Sequence, residues 1–226
     1  ASPTIRLYLL HMSTTIDIRL PDGAIKQMPS GSTPFEIAQS ISEGLARAVI
    51  SASYNGTTIE ATTPLQEDGK LVLYTWNNDE GKKAFWHSSA HLLAQALEQM
   101  YTGIKLTIGP AIDNGFYYDI DPGEHNISEK DLPAIEKRMI ELARGKHDFA
   151  LRSVAKAEAL SFYKTAGNEY KTALIENLDD GTITFCDHDD FTDLCRGGHI
   201  PNTGIIKAVK LTNIAGAYCC LLYTSP

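Results

Sequence analysis

Residues 14–28 read TTIDIRLPDGAIKQM, with apolar and polar side chains alternating on both sides of Pro21-Asp22-Gly23. Alternation has the two-residue period of a strand, and Pro-Asp-Gly is turn chemistry, so this stretch predicts an antiparallel hairpin. Directly after it, Thr33 can cap a helix whose first position is Pro34, and Glu36 completes a capping box; the helix should reach about Ser42. Residues 51–75, SASYNGTTIEATTPLQEDGKLVLYT, then give an Asn55-Gly56 turn, a short strand, a loop bounded by Pro64 and an apolar strand over 71–75. Strands, one helix and more strands within residues 12–76 describe a small β-grasp sheet packed on a helix.

The polar run WNNDEGKK follows, and residues 77–82 are expected to be a linker. Phe85, His91, Leu92, Ala96 and Met100 then recur at helical spacing, which predicts a helix over 83–101. The segment GIKLTIGPAIDNGFYYDID suggests two short strands joined at Asp113-Asn114-Gly115. Further helices are expected over 128–144 and 156–165, and from Gly181 the β-branched stretches TITF and IIKAVKL alternate with loops. The chain therefore reads as α+β, a small β-grasp domain followed by a larger α+β domain over 83–218, without internal repeats.

Composition narrows the function classes. With 43% hydrophobic and 21% charged residues, the chain is neither collagen-like nor disordered. No run approaches the roughly 18–20 apolar residues of a membrane span, and ASPTIRLYLLHM is a poor signal peptide, so no membrane partner is expected. Four Cys, with Cys219 and Cys220 adjacent, do not make a disulfide scaffold, which fits a reducing cytoplasm. A net charge of −8 argues against a general nucleic-acid coat, yet residues 130–171 carry a local excess of positive charge that leaves room for an RNA site.

Two clusters can carry chemistry. His87 and His91 stand four apart on the expected helix, so both imidazoles leave one face; Ser88 occupies the place of the zincin glutamate, which removes the general base of a metalloprotease. About a hundred residues later comes Asp193-Leu194-Cys195-Arg196-Gly197-Gly198-His199. Brought together, these residues suit either a zinc site or a metal-free hydrolytic pocket, and spacing does not choose between them. Cys186 and His188 read as chance neighbours.

The motifs FWHSSAHLLAQAL, IGPAIDNGFYYDID, FTDLCRGGHIPNTG and IKAVKLTNIAGAY, in this order, resemble the amino-terminal half of threonyl-tRNA synthetases. LPDGAIKQMPSG, ISEGLARAV and YNGTTIEATTPL resemble the ubiquitin-like TGS domain of that family, so the likeness runs from Met12 to Tyr218. It implies hydrolytic editing of threonine tRNA mischarged with serine. His87, His91, Asp193, Cys195 and His199 would form the pocket, with Lys171 and Tyr118 at further active-site positions and Arg196 beside the substrate. On that reading His87 takes a proton from water, Lys171 serves the leaving ribose hydroxyl and Asp193 holds the substrate amine, around neutral imidazoles and a protonated thiol.

The resemblance also implies what lies elsewhere. ATP, magnesium and zinc chemistry belong to a class II catalytic domain, and the parent enzyme is expected to be a homodimer. Although His87, His91, Cys195 and His199 are zinc-type ligands, no tightly bound metal and no other cofactor is expected. Gly198 departs from the family's Pro, which should loosen the loop that aims His199. Residues 219–226 are expected to be foreign to the family and residues 1–11 to precede the natural start. Two rival readings are a non-catalytic RNA-binding or regulatory module and an alanyl-tRNA-type, zinc-dependent editing protein.

Overall fold

The Pro-Asp-Gly reversal forms the expected hairpin. In the computed structural model, which describes residues 14–216, β1 (Thr15–Arg19) pairs antiparallel with β2 (Ile25–Pro29), from Thr15↔Pro29 to Arg19↔Ile25. The leader and tail assigned to residues 1–11 and 219–226 lie outside the described residues. α1 (Pro34–Ile41) starts with the capping box: Glu36 N donates to Thr33 Oγ1 at 3.2 Å, and Thr33 N donates to Glu36 Oε2 at 2.9 Å. Ser42 ends that helix and caps α2 (Glu43–Ala48), a six-residue helix too short to leave a periodic trace in sequence.

β3 (Val49–Tyr54) turns at Asn55-Gly56 into β4 (Thr57–Glu60), and β5 (Gly69–Thr75) inserts between β1, to which it is parallel, and β3, to which it is antiparallel. The order β2-β1-β5-β3-β4, closed over Ile16, Ile18, Ile37, Ala52, Leu65 and Leu71, is a β-grasp.

α3 (Asp79–Met100) begins four residues ahead of the expected start, so residues 79–82 are helical and not a linker. Asn78 compresses the junction: its Oδ1 accepts from Thr75 N at 2.8 Å and its own N–H donates to Thr75 O at 3.0 Å. Asp79 and Glu80 then place negative charge on the positive end of the helix. Gly81 lets the helix lie against β5, because a Cβ there would sit 2.1 Å from Thr75 O.

The segment read as two strands holds four. β7 (Ala111–Ile112) and β8 (Gly115–Phe116) make the expected hairpin, nested inside a pair of β6 (Lys105–Leu106) with β9 (Ile120–Asp121). α4 (Leu132–Ala143) starts later than expected because Ser128 donates its N–H and Oγ–H to Asp131 Oδ2, holding 128–131 in a turn. β10 (Ala150–Ser153), α5 (Lys156–Thr165), α6 (Glu169–Glu176), β11 (Thr184–His188) and β12 (Phe191–Leu194) follow, with the strands in the antiparallel order β10-β11-β12.

IIKAVKL is not a strand. A 3-10 turn (Thr203–Ile205) opens it, Ile206 is buried, and Glu136 of α4 accepts from Leu211 N at 2.7 Å, so helix α4 takes the place of a strand partner. One core spans the whole packing of α3 on α4, with Leu92, Leu97, Ile135, Met139 and Ile200, and it includes Ile50 of β3. The β-grasp sheet is thereby tied to the helix that carries His87 and His91.

In an open helix Gly→Ala stabilises by about 1 kcal/mol. At Gly81 the clash with Thr75 reverses the sign: Gly81→Ala is expected to destabilise by about 1–3 kcal/mol, measured as a lowered midpoint in urea unfolding.

Candidate functional site

His87 and His91 project from one face of α3, a turn apart, towards the loop after β12. That loop is fixed at both ends. Cys195 N donates to Thr184 O at 3.1 Å, and Thr184 Oγ1 donates to Cys195 O. Gly197 and Gly198 adopt φ of +95° and +88°, which reverse the chain so that His199 returns over Cys195. Ile200 N then donates to Ser88 Oγ at 3.0 Å, and Ser88 Oγ donates to Ala84 O at 2.8 Å. Ser88, read in sequence only as a missing glutamate, thus clamps the loop onto α3.

The four expected residues converge. Cys195 Sγ lies 2.9 Å from His87 Nε2, 3.3 Å from His91 Nε2 and 3.2 Å from His199 Nε2, and the two helical imidazoles are 3.3 Å apart. Beside them Asp193 is fully enclosed: Lys171 Nζ donates to Oδ1 at 2.6 Å, Tyr118 OH donates to Oδ2 at 2.6 Å, and His91 Nδ1 is 3.1 Å from Oδ2. Lys171 comes from α6, a helix not read from the sequence, which Asn168 caps by accepting from Lys171 N at 3.0 Å. His87 is half-buried, and Arg196 is exposed on the pocket wall. The cavity in front of the cluster has a volume of about 810 Å³ and is bounded by Thr58, Lys83, His87, Tyr118, Lys171 and Arg196, among others.

Electrostatics departs from the expected neutral imidazoles and protonated thiol. Burial would raise the Cys195 thiol, but the charge of His91 and hydrogen bonds from His199, His87 and His91 hold it well below its ordinary value. Burial works the other way on the two imidazoles, whose affinity for a proton is nevertheless raised, His91 by the charge of Cys195 and the Asp193 carboxylate, His199 by hydrogen bonds with Cys186, Cys195 and Glu60. The physical cause is mutual: the buried imidazoles of His91 and His199 and the Cys195 sulfur each favour the charged form of the other. Asp193, which burial alone would raise, is held below the usual carboxylate range by the Lys171 charge and by His91. Cys186, read from the sequence as a chance neighbour, reaches His199 Nδ1 at 3.7 Å; burial pushes its thiol up to about 11 and His188 down to about 3, leaving both neutral.

His87, His91, Cys195 and His199 could hold a metal ion, their ligand atoms lying within 4.8 Å of one another. Three imidazoles and a thiolate are a zinc donor set, so the residues fit such an ion even though none was expected from the sequence. Glu60 of β4 is the member of the neighbourhood that sequence reasoning missed: its Oε1 accepts from His199 Nδ1 at 3.0 Å and from Gly198 N at 3.1 Å.

Residues 16–75 match the TGS domain, and residues 183–217 match the threonyl and alanyl tRNA synthetase second additional domain. Over 203 residues, 90% of its length, the chain is 67% identical to a threonine–tRNA ligase of Flavobacterium johnsoniae, and over the same share 50% identical to one of Parabacteroides distasonis. A threonine–tRNA ligase of Cytophaga hutchinsonii is 51% identical. The chain spans about a third of the length of these curated relatives, 31% in the first two. The chain thus matches a TGS domain and the threonyl and alanyl tRNA synthetase second additional domain, the latter an editing-associated domain, and is similar to about a third of the length of threonine–tRNA ligases.

Lys171→Met would leave Asp193 charged, buried and without its cation, and is expected to cost about 3–5 kcal/mol in thermal or denaturant unfolding. The double variant Lys171→Met/Asp193→Leu should recover most of that loss; no recovery would mean that Lys171 stabilises by packing and not by pairing.

Proposed function

We propose that the second additional domain of this chain deacylates threonine tRNA that carries serine by mistake. The observation that supports this most directly is the pocket lined by both a half-buried His87 and the buried Lys171–Asp193 pair with the half-buried Tyr118. An ester between an amino acid and a terminal ribose offers an ammonium group, a carbonyl and a leaving hydroxyl. Asp193 lies on the pocket wall as a carboxylate of unusually low proton affinity, suited to the ammonium. Lys171 Nζ donates to Asp193 and lies 3.3 Å from Tyr118 OH, where it can steady or protonate the leaving hydroxyl. His87 is the imidazole nearest solvent in the cluster and takes the proton of the attacking water.

The need for such a site follows from size. Threonine exceeds serine by one methyl, which a synthetic pocket discriminates by only about 1–3 kcal/mol, whereas a second pocket can exclude the larger residue sterically. A zinc ion held by His87, His91, Cys195 and His199 would supply Lewis-acid activation of water. In the mechanism proposed here those residues act without it, and zinc bound there would replace the contact that holds His87 to Cys195. The same reading extends to the longer enzyme, for which we infer aminoacylation with ATP and magnesium, a homodimer and a cytoplasmic location; among the described residues no helix is long and apolar enough to cross a membrane. The matched TGS domain favours threonyl over alanyl specificity.

His87→Ala is expected to lower seryl-tRNA deacylation by about 10²–10⁴-fold, the usual weight of a general base, while tRNA affinity stays within error. Equal loss of both would instead favour an RNA-binding module with structural histidines. Chelator is expected to leave the rate unchanged and added zinc to slow it; activity abolished by chelation and restored by zinc would overturn the metal-free mechanism.

A further inference from the structure

The catalytic cluster is built on the second domain, yet one of its imidazoles is held from the first. Glu60 is the last residue of β4, buried against the second domain, with register partner Ser51 in β3. Its Oε1 sits between two donors of the Cys195–His199 loop, the Gly198 amide at 3.1 Å and His199 Nδ1 at 3.0 Å. The opposite edge of the same ring, Nε2, faces Cys195 Sγ at 3.2 Å. The imidazole is also stacked on Phe149, with ring centroids 5.3 Å apart and planes 7° apart, so its plane is set as well as its edge.

Glycine at two successive positions makes the link possible. At Gly197, whose φ is +95°, a Cβ would come within 3.1 Å of Glu60 Oε1 and 2.9 Å of Leu151 Cδ2, so a side chain there would push the carboxylate away. At Gly198 the φ of +88° is closed to proline, which also has no N–H to give. The residue that reads in sequence as a loosening of the loop is, in the folded chain, one of the two donors that tie it to the first domain.

We propose that Glu60 is a positioning residue for the editing site: the β-grasp domain supplies the carboxylate that fixes which nitrogen of His199 is turned to Cys195, and Gly198 is the second donor of that clamp. A carboxylate at one ring nitrogen holds the other in place for its partner, and removal of such outer partners elsewhere lowers function by about 10–100-fold. The kinetic consequence rests on the deacylation reading above, whereas the orientation of His199 does not.

The test uses the full chain with uniform ¹⁵N labelling. A buried, hydrogen-bonded Nδ1–H is expected to give a slowly exchanging downfield imidazole resonance, assigned by its loss in His199→Asn. Glu60→Ala should abolish that resonance and lower kcat for seryl-tRNA deacylation about 10–100-fold with KM unchanged. Glu60→Gln, whose Oε1 still accepts from both donors, should keep the resonance and regain most of kcat, which a general loss of folding would not allow. Gly198→Pro, which removes one of the two donors to Glu60 Oε1, should lower kcat in the same direction. A resonance unaltered in Glu60→Ala, or wild-type kcat in that variant, would overturn the proposal. A wild-type chain that shows the resonance but no deacylation would overturn the functional reading and leave the clamp standing.

Discussion

Asp193 is a carboxylate with almost no access to water, and the geometry of the site depends on how its charge is compensated. An uncompensated buried carboxylate costs several kcal/mol, so the elements that bring Lys171, Tyr118 and His91 to it are held to one relative placement. Those elements are α6, the segment between β8 and β9, and α3, while Asp193 itself is on β12. Four separated stretches of chain thus meet at one pair of oxygens. Placing Cys195 two residues beyond Asp193, just past the end of β12, and His91 across from it carries that placement into the cluster.

α3 is the spine that makes this economical. Its first turn abuts β5 through Gly81, its middle carries His87 and His91, and Ser88 between them accepts from the amide of Ile200. Small side chains at Ala84, Ala90, Ala94 and Ala96 let it be buried on several sides, which is why its apolar periodicity is weak while its packing is extensive. The core that it shares with Ile50 of β3 makes the first domain part of the support of the second.

What could be read from the sequence followed from local chemistry. The hairpin at Pro21-Asp22-Gly23, the capping box of Thr33 and Glu36, the Asp113-Asn114-Gly115 turn and the α5 span each rest on residues within a few positions of one another, and each forms. The His87/His91 and Cys195/His199 pairs were also legible, because helical spacing and a compact loop constrain them locally. Short elements without such a local mark were not: α2 has six residues, α6 eight and no capping box, and β10 and β12 are four-residue strands whose pairing partners are distant or lie across a turn. IIKAVKL shows the converse error, a β-branched stretch whose partner proved to be the side chain of Glu136.

Glu60 belongs to a different class of omission. Its contact with His199 spans 139 residues, and nothing in ATTPL or in the loop motif marks either partner for the other. Gly198 looked like a weakened version of a stiffer loop because proline restricts the backbone, and that inference holds only if the native φ lies near −65°. At +88° the restriction would work against the fold, and the lost N–H would leave Glu60 Oε1 with one donor instead of two. A buried carboxylate needs its hydrogen bonds more than an exposed loop needs stiffness, so in this chain the two glycines and Glu60 form a single device: flexibility in sequence, used to build a rigid contact between domains.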